Sequence, residues 1–192
     1  DLVRSRGLGD VYKRQAGVFV DLTEKMPIRV LHVDDDPSFL KIAKLCLEMQ
    51  GPFKVDTASS VEEGIEKMKK KSYNAIISDY MMPGKNGLEF LKELRDGGNN
   101  IPFIMFTGKG REEVAIKALN LGADQYFNKI GSPEAVYGEL AHGIRQVVEK
   151  KRVEEMLWRS RDYLETILGS IFSGIIVIDG ETHEIVDVNP KA

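Results

Sequence analysis

The chain reads as a doubly wound α/β domain built on a five-stranded parallel sheet. Three observations predict it. Five short apolar runs alternate with segments of helical periodicity between Ile28 and about residue 148, and parallel neighbours need such crossovers. The third run, around Ala75-Ile76-Ile77, is apolar at consecutive positions, as expected where helices cover both faces of a sheet. Four of the runs end in polar residues: Asp34, Asp35 and Asp36; Asp79; Thr107; and, just past the last, Lys129. Open α/β sheets bind ligands outside the carboxyl ends of their strands, so these four ends mark one candidate site.

Residues 28–33 (Ile-Arg-Val-Leu-His-Val) form the first strand. Asp36 can cap the next helix, with Pro37 at its first position. Phe39, Ala43 and Leu47 lie on one stripe of that helix, which closes near Gly51. Residues 53–58 form the second strand. Ser60-Val61-Glu62-Glu63 has the form of a capping box, and Val61, Ile65 and Met68 set the inner face of the helix it opens. Lys69-Lys70-Lys71 reads as its solvated end, where cations suit the helix dipole. Residues 73–78 are the third strand. Gly87 opens a helix with Leu88, Leu91 and Leu94, and Asp96-Gly97-Gly98-Asn99-Asn100 is a loop. Residues 101–106 make the fourth strand. Residues 112–121 make a helix with Val114, Leu119 and Leu121, ended by Gly122, and residues 125–127 a short fifth strand.

A further helix starts at Ser132, with Pro133 and Glu134 in its first turn, and runs to about Gly169 with only Gly138 and Gly143 as weak interruptions. In its second half Val153, Leu157, Ser160, Leu164, Ile167 and Ile171 recur at alternating spacings of four and three. That is the seam of a coiled coil, and it predicts a homodimer through this helix; packing on its own domain is the competing reading. Gly174 to Gly180 reads as a strand and turn. Residues 184–188 read as a second strand, closed by Asn189-Pro190.

A length of 192 residues suits one full domain plus a fragment or linker. The 27 Lys and Arg against 30 Asp and Glu leave a formal charge of −3, which gives no global pull toward nucleic acid. The chain has no apolar run near the ~20 residues that span a bilayer, and no signal peptide is visible. A single cysteine, Cys46, forms no internal disulfide and fits a reducing cytoplasm; its neighbours suggest a buried helical thiol. Residues 1–16 are aperiodic and rich in Arg and Gly, and Asp10-Val11-Tyr12-Lys13-Arg14-Gln15 resembles a translated transposon-end adapter. The expected organisation is a tail at 1–26, of which 1–16 is artefactual, a domain at 27–148, a helical linker at 149–170 and a last unit at 171–192.

The candidate site has the parts for phosphoryl transfer. Hard carboxylate oxygens select Mg²⁺, which takes one or two of them and keeps its waters. Asp35 is the first choice as ligand and Asp34 the second, directly or through water; Asp36 is the cap. Asp79 faces them from the third strand, and a carboxylate can act as a nucleophile toward phosphorus. The hydroxyl of Thr107 could reach a phosphoryl oxygen, and Lys129 could pair with Asp79 before transfer and with phosphate after it. Tyr126 is either a core ring or a mobile aromatic.

These pieces resemble a response-regulator receiver domain over residues 28 to about 148. The match lies in "VDDDP" after strand one, "SDYMMPGKNG" after strand three, "FTG" after strand four and "NK" after strand five. The resemblance implies a flavodoxin-like strand order 2-1-3-4-5 and a signalling module whose only catalysis is its own phosphoryl transfer and loss. It also implies Asp79 as phosphoacceptor for a histidine kinase or phosphotransfer protein. The resemblance further implies that Asp34, Asp35 and Asp79 hold Mg²⁺ together with the Met81 backbone carbonyl, and that Thr107 and Tyr126 form the switch. One departure is Ile130, where the family commonly places a proline joined by a cis bond. A cis bond here would cost roughly 3 kcal/mol, so a trans bond and a shifted Lys129 loop are expected. From about Asp162 onward, "GIIVIDGETHEIVDVNPKA" resembles the opening of a PAS sensor domain.

Four rival readings compete with this one. The first is the receiver–PAS part of a hybrid sensor histidine kinase whose catalytic region is missing. A DNA-binding regulator would need a basic helix-turn-helix, and a phosphorylation-independent scaffold would have lost an acid or the lysine. A haloacid-dehalogenase-like phosphatase would want an Asp where Met81 stands.

Overall fold

The computed structural model describes residues 26–108, 112–170, 174 and 176–188. Residues 1–25 of the expected tail, seam residue Ile171 and the Asn189-Pro190 turn lie outside the described residues. The elements run β1 (Ile28–Val33), α1 (Pro37–Met49), β2 (Phe53–Ala58), α2 (Val61–Lys70), β3 (Ala75–Ser78), α3 (Gly87–Asp96), β4 (Phe103–Thr107), α4 (Glu112–Asn120), β5 (Gln125–Asn128), α5 (Pro133–Ser170), β6 (Ile176–Ile178) and β7 (Ile185–Val188). The first five strands form a sheet in the order β2-β1-β3-β4-β5, every neighbouring pair parallel. This is the doubly wound arrangement expected. β6 and β7 form a separate antiparallel ribbon. Packing divides the chain into two compact units, one ending at Val148 and the other starting at Glu149.

Side chains alternate across the sheet, so consecutive apolar residues serve two cores. Val30, Ile77, Ile104 and Phe106 pack with Ala43 and Leu47 of α1 and Leu140 and Ile144 of α5. Leu31, Val33, Ile76, Phe103 and Met105 pack on the other face with Val61 of α2, Phe90 and Leu91 of α3 and Ala118 of α4. The helix starts follow local chemistry. Asp36 accepts N–H bonds from Ser38 and Phe39 with Pro37 opening the helix, as expected.

Several details differ from the sequence reading. Ser60 does accept from the Glu63 N–H, but the Glu63 carboxylate turns to the backbone and hydroxyl of Ser59, so the box is not closed on Ser60. The complete capping box is at Asn86 and Glu89. Phe39 packs half-buried against the core that holds Ala43 and Leu47, and Leu40 of α1 is buried as well. On α4 the small Ala118 is the buried residue, whereas Leu119 and Leu121 are exposed. Cys46 is only partly buried.

Gly87 fixes where α3 meets the sheet. A Cβ there would lie 2.2 Å from the carbonyl oxygen of Asp79, and the Gly87 N–H donates to the Tyr80 carbonyl at 3.0 Å. Gly138 in α5 has open space where its Cβ would be. Gly87→Ala is expected to destabilise the protein by about 1–3 kcal/mol through overpacking. Gly138→Ala is expected to stabilise it by about 0.5–1 kcal/mol. Urea unfolding of both variants checks the opposite signs.

Candidate functional site

Four of the five strands, β1, β3, β4 and β5, deliver groups to the same edge. The ladder of β1 continues one residue past its end, because the Asp34 N–H donates to the Ala58 carbonyl at 3.0 Å. Asp34 is thereby buried, and its Oδ1 accepts the Asp36 N–H at 3.0 Å. The Asp79 N–H donates to the Val33 carbonyl at 2.9 Å, which places Asp79 beside Asp34. Asp79 Oδ2 accepts the Met81 N–H at 2.9 Å. Thr107 ends β4 and is buried. The Lys129 N–H donates to the Thr107 carbonyl at 3.1 Å, and Asn128 Oδ1 turns the chain by accepting the Ile130 N–H at 3.0 Å.

The lysine ties the two acids together. Its Nζ lies 2.5 Å from Asp34 Oδ2 and 2.9 Å from Asp79 Oδ1. The ammonium also sits 4.3 Å from the centroid of the Phe39 ring. Two carboxylates against one ammonium leave a net negative charge, and the exposed Asp35 adds to it. Burial pushes the Asp34 carboxyl above its ordinary range, and the charge of Asp79 adds to that; hydrogen bonds from Lys129 and the Asp36 N–H act in the opposite direction. The groups open into a pocket of about 330 Å³ lined by Asp34, Asp35, Asp36, Phe39, Asp79, Met81, Thr107, Gly108 and Lys129.

Of the residues singled out from the sequence, only Tyr126 stands outside this pocket. It lines a second cavity of about 470 Å³ with Leu119, His142 and Gly143. Burial raises the Tyr126 phenol pKa, and the charge of Asp79 adds to the rise. The Lys129–Ile130 bond is trans, as are all described peptide bonds. Among the described residues no group of three or more His, Cys, Asp or Glu is gathered as a ready-made metal cage. Mg²⁺ does not require one, since it completes its shell with water.

Two residues at the site were missed in the sequence. His32 lies fully buried, with Nε2 3.9 Å from Asp34 Oδ2 and neither ring nitrogen hydrogen-bonded. Its strand position was the available signal, because residues i and i+2 of a strand share a face. Phe39 was assigned to the core stripe, although its place in the first turn of α1 brings it to the pocket.

Burial, with Lys129 nearby, lowers the His32 pKa from 6.5 to about 3. The unfolded imidazole takes its proton near 6.5, the folded one only near 3. Stability held by neutral His32 is therefore fully present above pH 6.5 and is lost as pH falls toward 3. His32→Leu is expected to flatten the acid limb of the stability curve by a few kcal/mol between those limits. Parallel urea titrations of the two proteins at pH 7, 5 and 4 measure the difference.

Comparison with known proteins places this geometry. Residues 30–141 match the response regulator receiver domain family. The chain is 38% identical over 101 residues to the transcriptional regulatory protein CpxR homolog of Haemophilus influenzae, covering 53% of this chain and 43% of that protein. It is 36% identical over 108 residues to the alkaline phosphatase synthesis transcriptional regulatory protein PhoP of Bacillus subtilis, covering 56% and 45%. The chain thus spans a little under half the length of these curated relatives. A solved response regulator receiver domain protein from Clostridium thermocellum is 29% identical, with TM-score 0.58 over 65% of this chain and 97% of the other. A CheY-like receiver domain protein from Methanospirillum hungatei is 28% identical, with TM-score 0.57 over 65% and 98%. The family match extends over more than half of the chain and reaches all five strands of the sheet, and the chain belongs to the response regulator receiver domain family of two-component signalling.

Proposed function

We propose that Asp79 is the phosphoacceptor of this receiver and takes its phosphoryl group from a histidine kinase or phosphotransfer protein. The observation that carries this is the Lys129 ammonium, held between Asp34 and Asp79 at 2.5 and 2.9 Å at the mouth of an open pocket. An oxygen of Asp79 attacks phosphorus in line with the P–N bond of a phosphoimidazole. The new P–O bond forms as the P–N bond breaks, and the leaving imidazole keeps the electron pair and takes up a proton. Lys129 passes from the Asp79 carboxylate to the phosphoryl oxygens, and Thr107 offers its hydroxyl to them.

The hard oxygens and net negative charge of the pocket fit Mg²⁺. Asp34, Asp35, Asp79 and the Met81 carbonyl would hold it, and it would supply neutralisation of the phosphoryl charge. The exposed Asp35 leaves room for water in the shell. On phosphorylation, Thr107 moves toward phosphate and the half-exposed Tyr126 turns inward, which alters the α4 and β5 surface.

Residues 27–148 are the receiver on this reading, 149–170 the linker and 171–192 the opening of a PAS unit. The antiparallel pairing of β6 with β7 supports the last assignment. The family match ends at residue 141 and leaves it uncovered. No described helix is long and apolar enough to cross a membrane.

On α5 the seam residues Val153, Leu157, Leu164 and Ile167 are exposed, as are the flanking Met156 and Tyr163. A second copy of the helix is the partner that this repeat fits.

Asp79→Asn is expected to abolish labelling of the chain by a small phosphodonor such as phosphoramidate, and EDTA to reduce labelling of the wild type to background. Full labelling of the variant would defeat the assignment. Sedimentation of the full chain at ~10 μM is expected to show a dimer. Replacing both Leu157 and Leu164 by Glu should convert it to monomer.

A further inference from the structure

We propose that Phe39 is a positioning residue for Lys129, its ring face holding the ammonium over the gap between Asp34 and Asp79. The inference rests on the reading of Asp79 as phosphoacceptor and deepens it. A lysine stem is flexible and costs rotamer entropy to hold in one geometry. The two carboxylates restrain the ammonium by two contacts, at 2.5 and 2.9 Å, and a third contact narrows its position further. The backbone bond from Lys129 to the Thr107 carbonyl fixes where the stem begins and leaves its side-chain torsions unrestrained.

The rings supply the missing restraint. Nζ lies 4.3 Å from the Phe39 centroid and 5.7 Å from that of Phe106. A cation over a ring face is attracted by the ring quadrupole, an interaction that an aliphatic side chain of similar volume lacks. The Phe39 ring is itself braced, with Phe106 at 5.7 Å, Tyr137 at 6.1 Å and His32 at 6.4 Å between centroids. The cap of α1 sets its place, since the Phe39 N–H donates to Asp36 Oδ1 at 3.1 Å. Phe39 acts through Lys129, keeping the charge where the transferring phosphoryl group needs it.

The test uses the full chain. In the wild type, the ε-methylene protons of Lys129 are expected upfield of ordinary lysine by ring current, assigned by a Lys129→Arg control. Phe39→Leu should lose the shift, and Phe39→Tyr should keep it. With phosphoramidate and Mg²⁺, Phe39→Leu should lower the maximal labelling rate about fivefold at unchanged half-saturating donor, and Phe39→Tyr should restore it to about the wild-type rate. The wild-type spectrum needs no substitution at Phe39 and stands even where Phe39→Leu fails to fold. An unshifted Lys129 methylene, or Phe39→Leu labelling at the wild-type rate, overturns the role of Phe39 while the labelled wild type keeps Asp79 as acceptor. A wild type that takes no label overturns the reading beneath it.

Discussion

Two carboxylates that end neighbouring strands repel each other unless a cation stands between them, and the geometry of this sheet makes the encounter unavoidable. β1 and β3 pair with Val33 opposite Ser78, so the next residues, Asp34 and Asp79, emerge side by side. β4 and β5 pair with Thr107 opposite Asn128, so Lys129 emerges one step later, beside Thr107. Its ammonium reaches both acids. The site is therefore a property of register. A slip of one residue in either pairing would turn every side chain of the slipped strand to the opposite face and separate the charges.

Register in turn is held by the two cores. Alternate residues of β1, β3 and β4 enter the two cores, and the helices close the edge where the site lies. Asp36 anchors α1 at the end of β1, and Gly87 lets α3 approach the Asp79 backbone more closely than any other residue would allow. The pocket is polar, but its position is decided by apolar packing several residues away.

Much of this was legible in the sequence. Polar residues at the ends of apolar runs marked the pocket, and the Asp36-Pro37 pair marked the start of α1. The signals that failed are instructive. Ser60 and Glu63 have the spacing of a capping box, yet Glu63 found a second donor in the Ser59 hydroxyl, which no spacing rule weighs. On α4 the small Ala118 is buried while the larger Leu119 is exposed, so side-chain size alone does not mark the inner face. Phe39 serves both as core and as pocket wall, and its stripe position shows only the first of these. The second role of Phe39 depends on Lys129, an element distant in the chain.

The electrostatics of the pocket show why a histidine can stand beside it without disturbing it. A pocket suited to a divalent cation stays negative until the cation arrives. Burial drives Asp34 toward the neutral acid, while Lys129 and the Asp36 N–H stabilise the carboxylate. A protonated imidazole 3.9 Å from that carboxylate would add a second positive charge and cancel what Asp34 and Asp79 hold in excess of Lys129. Complete burial and the proximity of Lys129 both oppose that proton. His32 thus behaves as a neutral ring packed against Phe39 and Phe106, and the same ammonium that neutralises one carboxylate also keeps the neighbouring imidazole from neutralising the other.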